Sequence, residues 1–315
     1  ADELRHPATG PAAWTALDED FVGVGFARVS AEGVRVGEPL RVTDPDEFNV
    51  WGVPAWSGSE YGVAWVHFGD QDAVQFQRIN PRGEKAGPVV TSVEGFFAMG
   101  PIDLAWAERR YALAYTRLDD ARTQGVVTLA GLEATGARKT TLDVWRSDEW
   151  AENPALDPDG ASLNLVWNDA VGRLGRSVPR VARARWESIE LAPRVVGARG
   201  LYGEIHLATS AKGYALTWRQ SREGRHEVWF AQFNRQGAAL GGPVRLDTES
   251  APADEFSEPD VVWNGTEYAV VWAGAEERTD GRAGVWFQRV SAEGQKVGVE
   301  VPVITTTVNA LEDCH

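Results

Sequence analysis

The chain of 315 residues contains a single cysteine, Cys314, and therefore has no internal disulfide bond. No apolar run approaches the roughly 20 residues that a membrane-spanning helix needs, so we expect no membrane insertion. Basic residues are also few, because 31 Lys and Arg stand against 46 Asp and Glu and leave a formal net charge of -15. Nucleic acids and anionic membranes bind clustered cations, so neither is an expected partner.

Helical periodicity and the common catalytic and metal-binding motifs are missing as well. No stretch repeats apolar residues at the 3.6-residue helical spacing, which argues against helical repeats. The histidines show no His-x-x-x-His spacing, and no Gly-x-Ser-x-Gly motif occurs. Asp157-Pro158-Asp159-Gly160 resembles the opening of a calcium loop, but it falls on a hairpin turn and lacks the distal glutamate. We therefore expect no cofactor, with calcium left open.

The chain is instead rich in short apolar strands that repeat about every 50 residues. In the clearest copy, Asn264-Gly265 favours a tight two-residue hairpin between two strands dense in aromatic and β-branched residues. The four strands of this copy are predicted at Val261–Trp263, Tyr268–Trp272, Gly284–Val290 and Val297–Ile304. A lone sheet of this size leaves apolar surface exposed on both faces, so it needs neighbouring copies.

Two recurring residue types identify those copies along the chain. An aromatic residue of the second strand recurs at Trp65, Tyr115, Trp167, Trp218 and Trp272. A glycine of the third turn recurs at Gly33, Gly83, Gly136, Gly237 and Gly294. Trp14 precedes Gly33 by the same number of residues as Trp218 precedes Gly237, so a further copy lies at the start of the chain. The predicted fold class is therefore all-β, a six-bladed β-propeller of four-stranded antiparallel blades.

We predict one propeller domain over residues 1–315. Its blades are expected at about 1–45, 46–93, 94–144, 145–197, 198–248 and 249–315. The innermost strand of the first blade must come from residues 1–6 or 308–314, which would close the ring with the chain termini. Ala1-Asp2-Glu3 is a plausible start after signal-peptide cleavage, and the excess of Arg over Lys is typical of a GC-rich bacterial genome. We expect a secreted or cell-surface bacterial protein, and the oligomeric state stays open.

Acidic and aromatic residues alternate between blades just before the innermost strand. Blades two, four and six carry Asp-Glu-aromatic triplets, whereas blades three and five carry glycine followed by apolar residues. In a propeller this segment borders the mouth of the central channel, together with the acidic loops between the second and third strands. The predicted ligand-binding residues of this acidic, aromatic-lined funnel are Asp46, Glu47, Phe48, Trp51, Phe96, Asp148, Glu149, Trp150, Tyr202, Asp254, Glu255 and Phe256.

Two interpretations of the triplets remain open. Carboxylates beside aromatic faces bind cations or sugars. Alternatively, each acid accepts backbone N–H bonds within its own turn, and each aromatic ring fills the space between blades. The tryptophans in the second-strand register are interpreted as packing residues, whereas those outside it are better ligand candidates, namely Trp51, Trp145, Trp150 and Trp186.

In blade count and length, the chain resembles the six-bladed fucose-binding lectins. Those lectins place an arginine, a glutamate and an aromatic residue between successive blades. Arg28, Arg78 and Arg289 share a third-strand position in the segments FARV, FQRI and FQRV, while blades three and five lack it. The resemblance implies a carbohydrate-binding propeller, and no lectin residue is carried over as functional.

Our preferred prediction is a non-catalytic module that binds a carbohydrate, a cationic peptide or a partner protein at the funnel. A first alternative is a glycoside hydrolase or lyase that uses two funnel carboxylates. The sequence shows no sign of the buried acid with a raised pKa that this reaction needs. A second alternative is a structural ring within a surface assembly.

Overall fold

The computed structural model describes most of the chain. The described residues are 9–18, 21–30, 34–96, 98, 100–119, 121–170, 176–197, 200, 202–222, 225–247, 251–252, 259–276 and 282–307. Contacts divide the chain into two compact units. Unit 1 comprises Ala1–Arg146, Trp186–Ser188 and His315, and unit 2 comprises Ser147–Arg185 and Ile189–Cys314.

The strands of the first half of the chain follow the apolar repeat. They are β1 (Thr9–Asp18), β2 (Phe21–Ser30), β3 (Arg35–Arg41), β4 (Phe48–Trp56), β5 (Tyr61–Phe68), β6 (Asp72–Ile79), β7 (Lys85–Phe96), β8 (Asp103–Ala107), β9 (Arg110–Leu118), β10 (Gly125–Leu132) and β11 (Arg138–Arg146). Apolar residues dominate the middle strands of each sheet, and all eight residues of β10 are buried.

The second half continues the pattern. Its strands are β12 (Ala151–Asp159), β13 (Ser162–Ala170), β14 (Ser177–Arg185), β15 (Ser188–Val195), β16 (Tyr202–Ser210), β17 (Gly213–Arg222), β18 (Arg225–Asn234), β19 (Val244–Arg245), β20 (Ala251–Pro252), β21 (Asp260–Trp263), β22 (Glu267–Glu276), β23 (Arg282–Ser291) and β24 (Lys296–Thr307). The outer strand of the fifth sheet is short, and β20 pairs separately with β18.

The predicted six-bladed β-propeller is confirmed. The six sheets are β1–β3, β4–β7, β8–β11, β12–β15, β16–β19 with β20, and β21–β24. Neighbouring strands within each sheet run antiparallel, as in β4–β5 and β12–β13. In the first sheet three strands are described, and the predicted innermost strand from residues 1–6 or 308–314 lies outside the described residues. No helix long and apolar enough to cross a membrane is found in the part of the chain that the structure describes.

The tryptophans of the second-strand register pack in the core, as predicted. Trp65 and Trp167 are at most 1% exposed, and Trp218 and Trp272 are also buried. The Trp65 indole N–H lies 3.0 Å from Asn49 Oδ1, so its polar atom is satisfied inside the blade. Trp186, a ligand candidate outside the register, is buried as well and donates to Glu108 at 2.9 Å. Trp186 is therefore a packing residue.

The hairpin turn predicted at Asn264-Gly265 forms one residue later. Asn264 N–H donates to Glu267 O at 3.1 Å, which makes Gly265 and Thr266 the two central residues. Asn264 Oδ1 accepts the Thr266 and Glu267 N–H groups, each at 2.9 Å. The asparagine side chain thus stabilises the start of the turn, and Gly265 takes the positive φ of 97°.

The three arginines that the lectin resemblance singled out each contact another residue of the chain. Arg289 forms two hydrogen bonds with Glu267, at 2.8 and 2.9 Å, and Arg78 lies 2.9 Å from Glu60. Arg28 Nη1 donates to Pro81 O at 2.8 Å. These guanidinium groups therefore stabilise the blades.

Three innermost strands contain β-bulges near their starts. The register shifts between Val50 and Val53 in β4, between Glu152 and Ala155 in β12, and between Tyr202 and Ile205 in β16. Trp51 and Asn153, inside two of these bulges, have φ values of 56° and 52°. Bulges change the direction of side chains and are common next to active sites, so the starts of these strands are candidate positions for a functional site.

Candidate active site

The predicted site residues of unit 1 lie at the start of β4. Asp46, Glu47 and Phe48 are exposed, and the Phe48 side chain is 52% exposed. Phe68 packs against Phe48 and Trp51, with ring centroids 5.5 and 5.6 Å apart. We call these three rings the aromatic cluster. Predicted Phe96 ends β7, and its side chain lies outside what the structure describes.

The predicted residues of unit 2 lie directly before two innermost strands. Asp148 and Trp150 are exposed, Glu149 is half-buried, and all three immediately precede β12. The predicted residue Tyr202 begins β16. The third triplet, Asp254-Glu255-Phe256, lies outside the described residues, so the three-fold arrangement stays a prediction.

Three carboxylates that the triplets do not include lie on the innermost strands of unit 2. Glu152 is the second residue of β12, Glu204 the third of β16, and Asp260 the first of β21. The strands β12, β16 and β21 pack in sequence against one another. All three acids therefore lie near the starts of adjacent strands, at the same end of their blades. We call them, with His206, the carboxylate site.

His206 connects two of these carboxylates. Its Nε2 lies 3.6 Å from Glu204 Oε2, and its Nδ1 lies 3.5 Å from Asp260 Oδ1. Since both contacts are made by one imidazole ring, the oxygens of Glu204 and Asp260 are no more than about 9 Å apart. At these distances the contacts are mainly electrostatic. Glu204 is the more buried acid, with 17% of its side chain exposed against 55% for Asp260.

Glu152 has a raised pKa. Its side chain is accessible to solvent, yet the surrounding protein reduces its hydration, and this desolvation raises the pKa of the carboxyl group. Glu152 therefore keeps its proton to a higher pH than an ordinary glutamate.

Asn168 connects Glu152 to the neighbouring strand. It pairs with Glu152 across β12 and β13, and its Nδ2 donates to Gly203 O at 2.6 Å, next to Glu204. Asn168 is only 4% exposed, and its Oδ1 has no hydrogen-bond partner within the described ranges. A buried acceptor without a partner costs free energy, so this atom is a candidate to contact a substrate hydroxyl or water.

Gly203 provides space that any other residue would fill. A Cβ atom at this position would lie 2.4 Å from Arg219 Nε, well inside van der Waals contact. Arg219 Nε is buried and, like Asn168 Oδ1, has no hydrogen-bond partner among the residues described. The glycine thus lets a guanidinium group approach the backbone beside Glu204.

The calcium-like stretch forms a turn that is held by arginines. Asp159 accepts hydrogen bonds from Arg183 and from Arg235, the latter at 2.7 and 3.1 Å. Hydrogen bonding to Arg235, and then to Arg183, lowers the pKa of Asp159. In the described part of the chain, no group of three or more His, Cys, Asp or Glu side chains is arranged to hold a metal ion.

Sequence reasoning missed the carboxylate site because it searched for repeated residues. Glu152, Glu204, His206 and Asp260 occupy different positions in their blades and so do not appear as a repeat. A usable signal was present nonetheless: blades four, five and six each have an acid within the first three residues of the innermost strand. The predicted residues Asp148, Trp150 and Tyr202 lie within a few positions of it.

Comparison with known proteins finds similarity in structure and none in sequence. No protein-family model matches the chain, and no curated protein is similar to it in sequence. The subtype N10 neuraminidase-like protein of A/little yellow-shouldered bat/Guatemala/060/2010 is similar in structure, with a TM-score of 0.53, 6% identity, and coverage of 96% of this chain and 86% of that one.

Two further structures are described as enzymes. The Trypanosoma rangeli sialidase in complex with sialic acid has a TM-score of 0.52 and 9% identity, covering 86% of this chain and 51% of the sialidase. This chain therefore spans about half the length of the sialidase. The α-L-arabinofuranosidase from Lactobacillus brevis has a TM-score of 0.49 and 12% identity, covering 81% of this chain and 95% of the enzyme.

These comparisons correct the function predicted from the sequence. The prediction of a non-catalytic, lectin-like binding module is wrong, because the similar structures with TM-scores above 0.5 are described as a sialidase and a neuraminidase-like protein rather than as lectins. Identities this low show a shared fold alone. The chemistry therefore has to be argued from the side chains of the carboxylate site.

Proposed function

We propose that the chain is a glycoside hydrolase and that the carboxylate site of unit 2 is its active site. The observation that carries the proposal is that three acids lie near the starts of the adjacent innermost strands β12, β16 and β21, and that one of them, Glu152, has a raised pKa. Glu152 has a raised pKa, whereas Glu204 lies beside the imidazole of His206 and close to the backbone that Arg219 contacts. Hydrolysis of a glycosidic bond requires one carboxyl group that holds a proton and a second that is ionised.

Glu152 is proposed as the general acid. Departure of the sugar leaving group leaves negative charge on the glycosidic oxygen unless a proton arrives as the bond breaks. A carboxyl group with a raised pKa keeps its proton to a higher pH than an ordinary glutamate and donates it to this oxygen. The bulge after Glu152, with Asn153 at a φ of 52°, fixes the direction of the strand at this acid.

Glu204 is proposed as the carboxylate that acts on the anomeric carbon, either directly or through a water molecule that it deprotonates. His206 lies between Glu204 and Asp260 and keeps the two acids apart. His206 and Asp260 are therefore positioning residues, and the reaction depends on Glu152 and Glu204.

A panel of nitrophenyl and methylumbelliferyl glycosides tests the proposal. The panel should contain pentosides, hexosides and a sialoside, because neither the fold nor the site identifies the sugar. We expect the purified chain to release chromophore from at least one glycoside, and the Glu152→Gln, Glu204→Gln double variant to release none. Absence of release from every substrate, or equal release by the double variant, would contradict the proposal.

A further inference from the structure

A concave region lies in unit 1. It is a cleft of about 720 Å³ between blades two and three, lined by the loop Gly69–Asp72, the end of β7, the end of β9 and part of β11. We call it the inter-blade cleft. Its volume is in the range of small-molecule binding sites, about 300–1,000 Å³. It has no part in the proposed reaction.

The charged residues of this cleft are mixed in sign. Four acids and three arginines line it. Some are already engaged: Arg117 Nη2 lies 3.1 and 3.2 Å from the two carboxylate oxygens of Asp143. Asp119 Oδ1 accepts the Thr123 and Gln124 N–H groups at 2.7 and 3.0 Å, bonds that lower the pKa of this carboxyl.

Three charged residues of the cleft remain for a ligand. Asp70, Glu94 and Arg138 are exposed, and within the described ranges none of them has a hydrogen bond or ion pair. Together they offer carboxylate acceptors and guanidinium donors to the same space. The uncompensated acids would repel an anion, and the arginines would repel a cation. A neutral ligand rich in both hydrogen-bond donors and acceptors therefore fits best.

The aromatic cluster borders the same end of blade two. Phe48 pairs with Phe68 across β4 and β5, and Phe68 directly precedes Gly69 of the cleft. Phe48 is 52% exposed, so its ring is accessible to a ligand. Exposed aromatic faces beside hydrogen-bonding groups suit the alternating apolar faces and hydroxyl groups of a sugar.

We infer that the inter-blade cleft binds a neutral oligosaccharide, as an accessory site distinct from the proposed active site. Asp70, Glu94 and Arg138 exchange hydrogen bonds with sugar hydroxyls, and Phe48 packs against a sugar ring at the border. The inference concerns binding alone, so it holds whether or not unit 2 hydrolyses the same carbohydrate.

Isothermal titration calorimetry on the whole chain tests this inference. The probes are neutral xylo-, arabino-, manno- and gluco-tetrasaccharides, with an oligogalacturonate as an acidic probe and a chitosan oligomer as a cationic probe. The chain carries Glu204→Gln throughout, so that hydrolysis does not consume the probe. The cleft variant is Glu94→Gln, Arg138→Ala. Its matched control is Glu133→Gln, Lys139→Ala, which removes an exposed ion pair of 3.2 Å elsewhere in the same unit.

We expect a neutral tetrasaccharide to bind to the chain. In the cleft variant, the Kd of one binding event should rise by at least about tenfold, or that event should disappear. The control variant should bind the tetrasaccharide as before. Binding of none of the neutral probes would overturn the inference, as would equal binding by the cleft variant or binding of the charged probes alone. These outcomes are independent of turnover. A chain that hydrolyses no glycoside but loses binding in the cleft variant would contradict the proposed reaction and support the accessory site.

Discussion

Replacing Glu204 with glutamine is expected to lower kcat by about 10³-fold or more on every glycoside that the chain cleaves. The amide keeps the size of the side chain but removes the negative charge that attacks the anomeric carbon or activates water. Because Glu204 is only partly buried and lies beside His206 at 3.6 Å, the loss of charge should change the melting temperature little. Steady-state kinetics and thermal unfolding of the same preparation measure both quantities.

A matched substitution separates catalysis from a general effect of lost charge. Glu293 is an exposed glutamate of unit 2 that pairs with Lys212 at 3.0 Å, and Glu293→Gln should leave kcat within about twofold of the parent, since exposed pairs contribute little. If Glu204→Gln lowers activity only in proportion to a loss of folded protein, its role is structural and the assignment fails.

Replacing Glu152 with glutamine has the second large expected effect, and this effect depends on the leaving group. Glycosides with poor leaving groups should lose about 10²- to 10⁴-fold in kcat/KM, because they need the proton. Dinitrophenyl glycosides, whose leaving group departs as a stable anion, should lose far less. The contrast between the two substrates, measured on one variant, identifies a proton donor.

The pH dependence gives Glu152 a second signature. Burial raises the pKa of Glu152, so the protonated, active form persists above the usual glutamate range and is lost as the pH rises through the raised value. The parent should therefore lose kcat/KM on the alkaline side, and Glu152→Gln should lack that decline. Asp148→Asn, an exposed acid four positions earlier, is the control and should retain the parent profile. A parent-like profile in Glu152→Gln would exclude it as the acid.

The fold was predictable because it repeats. Each blade presents a run of apolar strands, a second-strand aromatic residue and turn glycines, so every copy supports the interpretation of the others. Trp65 and Trp167 show the physical reason: a large side chain at a fixed register fills the space inside each blade, and both are almost completely buried. Even the displaced hairpin at Asn264 differs from prediction by a single residue, since Gly265 still takes the positive φ.

The active site was less predictable because it breaks the repeat. The alternating triplets lie at the starts of the innermost strands, and Asp148 and Tyr202 lie within a few residues of Glu152 and Glu204 of the proposed site. Which acid is desolvated depends on neighbouring strands and on bulges, such as the one between Glu152 and Ala155, and neither is visible in a pattern of residue types. The contact of His206 with two carboxylates arises only when β16 and β21 pack together.

Chemical rescue of Glu204→Ala by azide tests the central claim most directly. Removing the side chain leaves room beside the anomeric carbon, and a small anion in that space replaces the missing carboxylate or its water. We predict that azide restores turnover of a dinitrophenyl glycoside by at least about tenfold and that the product is the glycosyl azide, while Glu293→Gln shows no response to azide. Unchanged turnover in azide, or a product that contains only the free sugar, would contradict a reaction centre at Glu204.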